Sequence, residues 1–224
     1  MLRSDVLQAL LDRYVHPGYL EIGVFRGETF HAIRADRKVA VDPQFHFAVP
    51  QPAPRGTVYY EVASDVYFGR IVKETELFEV IYLDGLHTFE QTLRDLLNAI
   101  AHLAPGGVIV VDDILPSTFY AAVPDYETFD QLWRLTGQGD ASWMGDVFKL
   151  LFFVQSFLQP FSYATVADNH GQLVLWRRQR SADSIVHRRI AAFLEIGYPD
   201  VLLQRNEFNI QPLANILLTL PAPS

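Results

Sequence analysis

The stretch from Tyr19 to Gly27, YLEIGVFRG, constrains the fold of this chain most strongly. Its first half is a short apolar run of the kind that forms a buried strand. Glycines at 23 and 27 then favour a tight turn, and residues 28–33 can begin a helix. A strand, a glycine turn and a helix start produce a rim of backbone N–H groups at the carboxyl end of the strand. The stretch therefore predicts a nucleotide-sized binding site.

The glycines of this turn do not form the dehydrogenase fingerprint, which needs three glycines in G-x-G-x-x-G. Phe25 and Arg26 stand between Gly23 and Gly27, so the backbone is poorly suited to a pyrophosphate. The pattern that remains, Glu21-x-Gly23-x-x-x-Gly27, resembles the first motif of the class I S-adenosylmethionine (AdoMet) methyltransferases, which bind a nucleoside without a phosphate. An ordinary turn between a strand and a helix is the alternative that this motif alone leaves open.

Composition narrows the classes of partner. The chain has 224 residues, which suits one large domain, and a net charge of −8, which argues against a general nucleic-acid binder. It has no cysteine, so a disulfide and a thiolate zinc site are excluded. No apolar run approaches the roughly 20 residues of a membrane helix, and the N-terminus lacks a signal-peptide pattern. We expect a cytoplasmic protein that acts on a small molecule, with neither nucleic acid nor membrane as partner.

Strand patterns and helix patterns alternate along the first half of the chain. This alternation predicts a parallel sheet with right-handed crossovers. The predicted strands after the first cover residues 38–43, 58–62, 78–83 and 108–113. The predicted helices cover 4–14, 29–35, a segment opening at 66–68, and 89–103.

Polar residues follow these strands where each strand ends. Asp42 comes about 20 residues after the glycine turn, where doubly wound folds place a carboxylate for the ribose hydroxyls. A turn aspartate before proline is the alternative. Ser64 and Asp65 follow the third strand, and Asp65 is suited either to the adenine amino group or to capping a helix. Because the carboxyl ends of parallel strands share one edge, we expect these side chains to lie together.

The fourth and fifth strands end in Asp84 and in Asp112 and Asp113, with His87 three residues after Asp84. The three carboxylates form an oxygen-rich set that could hold Mg²⁺ or Ca²⁺ and so lower the pKa of a bound hydroxyl. His87 is the residue we expect to act as general base. The alternative is that Asp84 contacts the cofactor or caps a helix, while Asp112 fixes a loop.

A wider resemblance extends over residues 18–177. It rests on the segments YLEIGVFRG, VAVDP, ASDVYF, YLDGLHTFEQTLRDL, LAPGGVIVVDDILP and WMGDVFK. In this order and spacing they resemble a bacterial branch of the class I methyltransferases related to the macrocin and catechol O-methyltransferases. The segment Asp113-Ile114-Leu115-Pro116 departs from the usual pattern of that family after strand five.

The resemblance implies an α/β, Rossmann-like doubly wound sheet of seven strands, mostly parallel with the last strand antiparallel. It also implies AdoMet above strands one and two, and a methyl acceptor above strands four and five. The cofactor-binding residues it implies are Glu21, Gly23, Gly27, Asp42, Ser64, Asp65 and Asp84.

The remainder of the chain falls into two parts. Residues 116–160 are too long for one crossover, so we expect two helices, 126–136 and 146–157, separated by Gly137-Gln138-Gly139. This insert is a lid or acceptor wall, or alternatively an aromatic packing insert. Segments 161–167 and 172–177 form a hairpin that closes the domain at residue 177.

Residues 178–224 then form a helical extension, with a helix at 182–196 that turns Arg188 and Arg189 outward. Its apolar tail packs on its own sheet or on a second subunit, and a homodimer is the hypothesis we favour.

Three functions compete at this point. The first is AdoMet-dependent O-methylation of a small hydroxylated molecule, a sugar or a natural product, with His87 as base. The second is an NAD(P)-dependent oxidoreductase on a similar sheet, and the missing fingerprint glycines count against it. The third is a non-catalytic AdoMet-binding assembly module, against which the acids and the histidine at one edge count.

Overall fold

An eight-stranded sheet organises the structure, a computed structural model that describes residues 1–136 and 142–223. The predicted separator 137–139 lies outside the described residues. The strands are β1 Gly18–Ile22, β2 Arg37–Asp42, β3 Thr57–Glu61, β4 Phe78–Leu83, β5 Leu103–Val111, β6 Phe161–Val166, β7 Leu173–Arg177 and β8 Ile210–Gln211.

The strand order is β3-β2-β1-β4-β5-β7-β6-β8. β1 to β5 pair in parallel, whereas β7 lies antiparallel to both β5 and β6. The predicted Rossmann-like sheet with a reversed last strand is therefore confirmed in β1–β7. β8, which pairs in parallel with β6, was not predicted, because two residues are too few to show a strand pattern.

Helices cover both faces of the sheet. They are α1 Arg3–Leu11, α2 Glu28–Ala32, α3 Ser64–Val66, α4 Phe89–Ala101, α5 Tyr126–Thr136, α6 Lys149–Phe157, α7 Ala192–Glu195, α8 Tyr198–Leu203 and α9 Leu213–Thr219. A π-helical segment, Tyr67–Ile71, continues α3. Buried residues of α1, α2 and α9 pack on one face, and those of α4, α6, α7 and α8 pack on the other.

The central strands are apolar on both faces, as parallel strands between helices must be. In β5, Ile109 and Val111 join the core under α4 and α6, and Val108 and Val110 join the core under α1. All four side chains are fully buried, and each such burial stabilises the fold by about 1.5–3 kcal/mol. This core fixes the ends of β1, β4 and β5 relative to one another.

The helix predicted for 182–196 is wrong. The structure has a 3₁₀ turn at Ala182–Ser184, an irregular segment, and only then α7. Arg188 does not point outward, because its guanidinium donates to Gln155 Oε1 at 3.0 Å and to Gln204 Oε1 at 2.8 Å. These side-chain bonds replace the helical ladder of that segment.

Part of the apolar tail packs on its own sheet, whereas Leu202, Leu203 and Leu218 are exposed. Phe208, Leu213 and Ile216 are buried, and Thr165 of β6 donates through its hydroxyl to the carbonyl of Phe208 at 2.7 Å. The homodimer and the division of the chain at residue 177 remain predictions. Among the described residues, no helix is both long and apolar enough to cross a membrane.

Candidate active site

The ends of four strands form one row across the sheet. In register, Gly23 follows β1 between Asp42 of β2 and Asp84 after β4, and Asp112 follows β5 next to Asp84. Backbone hydrogen bonds extend the sheet into this row. Gly23 N donates to the carbonyl oxygen of Val41 at 2.9 Å, and Asp84 N donates to the last carbonyl of β1 at 2.8 Å. Asp112 N donates to the last carbonyl of β4 at 3.0 Å. The structure thus brings three of the predicted acids to one edge.

Gly23 allows the end of β1 to lie directly against the loop that follows β4. Its φ is +86°, and a Cβ at this position would lie 2.0 Å from the carbonyl oxygen of Asp84. Any side chain here would separate β1 from the loop after β4, so only glycine fits. Gly27 ends the turn as the residue that precedes α2.

Asp42 ties the glycine turn to the end of β2. Its carboxylate accepts from the backbone N–H of Phe25 at 2.8 Å and from that of Gln44 at 2.8 Å. Each carboxylate oxygen can accept a second bond, so the group retains acceptor capacity for a ligand hydroxyl. The ribose role stays a prediction, and the observed bonds show how the carboxylate is held in place.

Glu21 lies inside β1 rather than on the open rim. Its side chain is buried, and Tyr19 Oη donates to its Oε2 at 2.5 Å. Burial raises the pKa of Glu21 to about 8, although the Tyr19 hydroxyl and the charge of Lys38 oppose the shift. Glu21 is therefore mostly protonated at neutral pH and supports the turn from below.

Ser64 and Asp65 are joined to α4 by Gln91. The amide of Gln91 donates to Ser64 Oγ at 3.2 Å and to Asp95 Oδ1 at 3.2 Å. Asp65 also pairs with Arg94 at 3.1 Å. Asp95 was not predicted as a site residue, and burial raises its pKa to about 6. Its position inside the α4 pattern offered no signal.

Asp84 and Asp112 share the hydroxyl of Tyr82, which lies 3.0 Å from Asp84 Oδ2 and 2.9 Å from Asp112 Oδ2. One hydroxyl has one proton, so it cannot donate fully to both carboxylates. Burial and the charges of Asp112 and Asp113 raise the pKa of Asp84 well above its usual range. The arrangement favours a protonated Asp84 that donates to Tyr82, which in turn donates to an ionised Asp112.

His87 lies between two acids. Its Nδ1 is 2.9 Å from Asp113 Oδ2 and 2.9 Å from the carbonyl oxygen of Trp143, and its Nε2 is 3.8 Å from Asp84 Oδ1. Burial lowers the pKa of His87, but the hydrogen bond and charge of Asp113 outweigh burial, and the pKa rises to about 9. The proton on Nδ1 is thus fixed by two acceptors, and Nε2 faces the row.

Segment 143–146 covers the His87 loop. The Trp143 ring stacks on the imidazole with centroids 5.0 Å apart and planes at 11°. Asp146 Oδ1 accepts from the backbone N–H of Phe89, at the start of α4, at 2.6 Å. Gly145 has φ +61° and lies directly against the His87 backbone. The predicted lid or acceptor wall is, at these residues, a support packed on the predicted base.

Two further residues at the site were not predicted, Arg3 and His170. His170 Nε2 is 2.7 Å from Asp112 Oδ1, and Arg3 Nε forms a close ion pair with Asp112 Oδ2. Burial alone raises the pKa of Asp112, but these partners outweigh it and the pKa is lowered. His170 stands in the turn-rich DNHG segment before β7, which was a weak signal, whereas nothing marked Arg3 at the start of α1.

The predicted metal ligands Asp84, Asp112 and Asp113 lie together, but Asp112 does not fit the role of a ligand. Both of its oxygens already have cationic or hydroxyl partners. Asp113 likewise faces His87. Asp84, His87 and Asp113 lie close enough together to be ligands of one ion, and Mg²⁺ or Ca²⁺ stays a prediction.

The row opens into a narrow cleft lined by Asp84, His87, Asp112 and Asp113. A larger cavity, of about 620 Å³, lies elsewhere and includes Trp176 in its lining. Trp176 pairs with Val108, at the far end of the β5–β7 ladder from Asp112. This cavity is therefore separate from the predicted site.

The comparisons with known proteins agree with this geometry. A family model described as a methyltransferase domain matches residues 20–114. This match covers the glycine turn, Asp42, Asp84, His87, Asp112 and Asp113. No curated protein matches the sequence.

Several solved structures share the fold at low identity. A candidate caffeoyl-CoA O-methyltransferase from Staphylococcus aureus is 11% identical with a TM-score of 0.53, over 80% of this chain and 84% of that one. The O-methyltransferase TomG from Streptomyces achromogenes, of tomaymycin synthesis and in complex with SAM, is 16% identical with a TM-score of 0.51, over 78% and 79%. The methyltransferase MycE of the mycinamycin pathway, in complex with Mg, SAH and mycinamycin VI, is 14% identical with a TM-score of 0.50, over 80% and 50%.

The match to a methyltransferase domain, which spans the glycine turn and the three carboxylate-bearing strand ends, counts against the oxidoreductase. These structures share the fold of this chain, whose strand order is given above. Residues 20–114 therefore match a methyltransferase domain, and they lie in a sheet that has the same fold as these methyltransferase structures.

Proposed function

We propose that the chain transfers the methyl group of AdoMet to a hydroxyl oxygen of a small molecule, a sugar or a natural product, with His87 as general base. TomG acts in the synthesis of tomaymycin, and MycE is bound to mycinamycin VI. Both are methyltransferases of natural-product pathways, which supports this class of acceptor. The net charge of −8 supports a small molecule over a nucleic acid.

The observation that carries the proposal is the orientation of His87. Two acceptors, Asp113 Oδ2 and the Trp143 carbonyl, hold the proton of Nδ1. Nε2 lies 3.8 Å from Asp84, beyond hydrogen-bond distance, and can take a proton from an acceptor hydroxyl. A base needs both a fixed tautomer and an open nitrogen, and this ring has both.

The reaction is an in-line displacement. The acceptor oxygen forms a bond to the methyl carbon, the carbon–sulfur bond breaks with its electrons moving to sulfur, and S-adenosylhomocysteine leaves. The hydroxyl proton passes to His87 Nε2. Holding oxygen, carbon and sulfur in line supplies about 7–11 kcal/mol of the rate enhancement.

His87 must be neutral to act as a base, and its pKa in the free enzyme is about 9. The sulfonium of AdoMet is positively charged, and a nearby positive charge disfavours a charged imidazole. Cofactor binding therefore lowers the pKa of His87 towards neutral pH. This coupling makes the base available when the methyl donor is present.

For the cofactor we assign the glycine turn, Gly23 to Gly27, to the methionine part of AdoMet. Asp42 accepts hydrogen bonds from the ribose hydroxyls, because a carboxylate can accept two such bonds from a vicinal diol. Ser64 and Asp65, held by Gln91, receive the adenine. Asp84 lies beside the turn at the sulfonium end.

The test compares His87→Ala with the unchanged chain. AdoMet is supplied with a panel of sugars, catechols and macrolide glycosides, and release of S-adenosylhomocysteine is measured. We expect His87→Ala to bind S-adenosylhomocysteine normally and to lose turnover by about 10²–10⁴-fold. His16→Ala, an exposed histidine paired with Asp36, is the matched control. Unchanged turnover in His87→Ala would remove the base, and binding without turnover on any acceptor would favour the non-catalytic module.

A further inference from the structure

A guanidinium lies at the carboxylate cluster formed by Asp84, Asp112 and Asp113. Arg3 Nε pairs closely with Asp112 Oδ2, and Arg3 Nη2 lies 3.9 Å from Asp113 Oδ1. Arg3 Nε is also 3.2 Å from His170 Nε2. A residue from the first turn of α1 thus reaches the end of β5.

Packing of α1 fixes the backbone from which Arg3 extends, and the Arg3 side chain itself is 41% exposed. The four buried residues of the helix all have zero exposure and belong to the core under β4 and β5. They are Val6, Leu7, Leu10 and Leu11. Arg3 therefore extends from a packed helix, and its charge sits at a defined position.

Cationic side chains already face two of the three carboxylates of the cluster, Asp112 and Asp113. Asp112, at 2% exposure, has His170 on one oxygen, and Arg3 and the Tyr82 hydroxyl on the other. Asp113 has His87. Each oxygen of Asp112 already faces a cationic side chain, so a divalent ion bound to Asp112 would lie against Arg3 or His170.

We propose that Arg3 is the resident cation of this cluster, and that methyl transfer by this chain proceeds without a divalent metal. The proposal rests on the function proposed above and concerns the same site. An arginine remains charged at every pH at which the protein folds, so the positive charge is permanent. Arg3 acts as a positioning residue, because it keeps Asp112 ionised and the end of β5 fixed beside Asp84.

Arg3 disfavours metal binding at this cluster. A guanidinium beside Asp112 repels a divalent cation and occupies an oxygen that the cation would use. Removing the charge without removing the polar side chain should therefore create a metal site from Asp84, Asp112 and Asp113. Restoring a charge at residue 3 should abolish it.

The test is calorimetric titration with MnCl₂, an ion that prefers the same carboxylate ligands as Mg²⁺. The chain is compared with Arg3→Gln, Arg3→Lys and Arg134→Gln, the last being an exposed arginine paired with Asp130 on α5. We expect Arg3→Gln to bind Mn²⁺ at least about tenfold more tightly than the unchanged chain, a change of about 1.4 kcal/mol. Arg3→Lys and Arg134→Gln should behave like the unchanged chain.

Tight one-site binding of Mn²⁺ to the unchanged chain would overturn the proposal, and that result does not depend on the folding of any variant. Equal Mn²⁺ affinity in Arg3→Gln and the unchanged chain would overturn it as well. Binding of S-adenosylhomocysteine is measured on the same samples in EDTA. If the unchanged chain does not bind S-adenosylhomocysteine, the proposed function is wrong. The role of Arg3 is decided separately, by the metal titration alone.

Discussion

Gly145 lies so close to His87 that a Cβ on residue 145 would stand 1.6 Å from the carbonyl oxygen of His87. Two segments separated by more than 50 residues therefore meet without space for a methyl group. The contact places Trp143 on the imidazole and Asp146 on the first N–H of α4. The position of the predicted base depends on this contact.

Replacing Gly145 by alanine should damage both stability and turnover. The φ of +61° is unfavourable for alanine, and the methyl group would force the two segments apart. We expect a loss of about 3 kcal/mol in the free energy of unfolding, measured with urea. Gly69→Ala is the control, since nothing lies within 4 Å of a Cβ there. Equal stability of the two variants would show that the contact is looser than described.

The pH dependence of kcat/KM for AdoMet, which refers to the enzyme before AdoMet binds, should report the pKa of His87. That pKa is about 9 in the free enzyme, so the fraction of neutral imidazole rises about tenfold per pH unit below it. We expect kcat/KM to rise from pH 7 and to level off above pH 9. A profile that is already level at pH 7 would mean that another group, or none, takes the proton.

Glu21 should make the protein less stable as pH rises. The pKa of Glu21 is about 8 in the folded chain, against an ordinary value of 4.5 that we take for the unfolded chain. At a pH between these two values, the folded chain keeps a proton on Glu21 that the unfolded chain has released. Stability therefore falls with rising pH in this window, by about 1.4 kcal/mol per unit from this group.

The variant Glu21→Gln imitates the protonated side chain, so its stability should lack the pH dependence that Glu21 causes. Urea unfolding at pH 5, 7 and 9 measures the difference between the two proteins. We expect the free energy of unfolding of the variant to rise relative to that of the unchanged chain as pH rises from 5 to 9. A constant difference would place the pKa of Glu21 near its ordinary value.

Asp42→Asn should weaken cofactor binding. The amide would turn an NH₂ group towards one of the two backbone donors, of Phe25 or Gln44, and would leave that N–H without an acceptor. We expect the Kd for S-adenosylhomocysteine to rise about 10–100-fold, measured by calorimetry. Asp36→Asn, an exposed acid paired with His16, is the control, and an equal effect in both would argue against a specific role.

The sequence was sufficient to predict features that depend on neighbouring residues. Asp42, Asp84 and Asp112 each follow a strand, and parallel pairing brings such ends to one edge. Arg3 and His170 could not be predicted, because they reach Asp112 from the first helix and from a turn 58 residues away. Their contacts arise from the packing of α1 and from the return of β7, not from local pattern.

The error at 182–196 has a similar cause. The segment has helical composition, but the bonds of Arg188 to Gln155 and Gln204 hold it in another conformation. Tertiary contacts override weak helical preference in short segments.

The central claim is that the row of strand ends, from Asp42 through Gly23 to Asp84, is the binding site for S-adenosylmethionine. The most direct measurement is an amide NMR titration of the chain with S-adenosylhomocysteine. The account predicts saturable binding, with the largest shifts at Gly23, Gly27 and the residues after Asp42. Absence of binding, or shifts confined to the cavity beside Trp176, would contradict it.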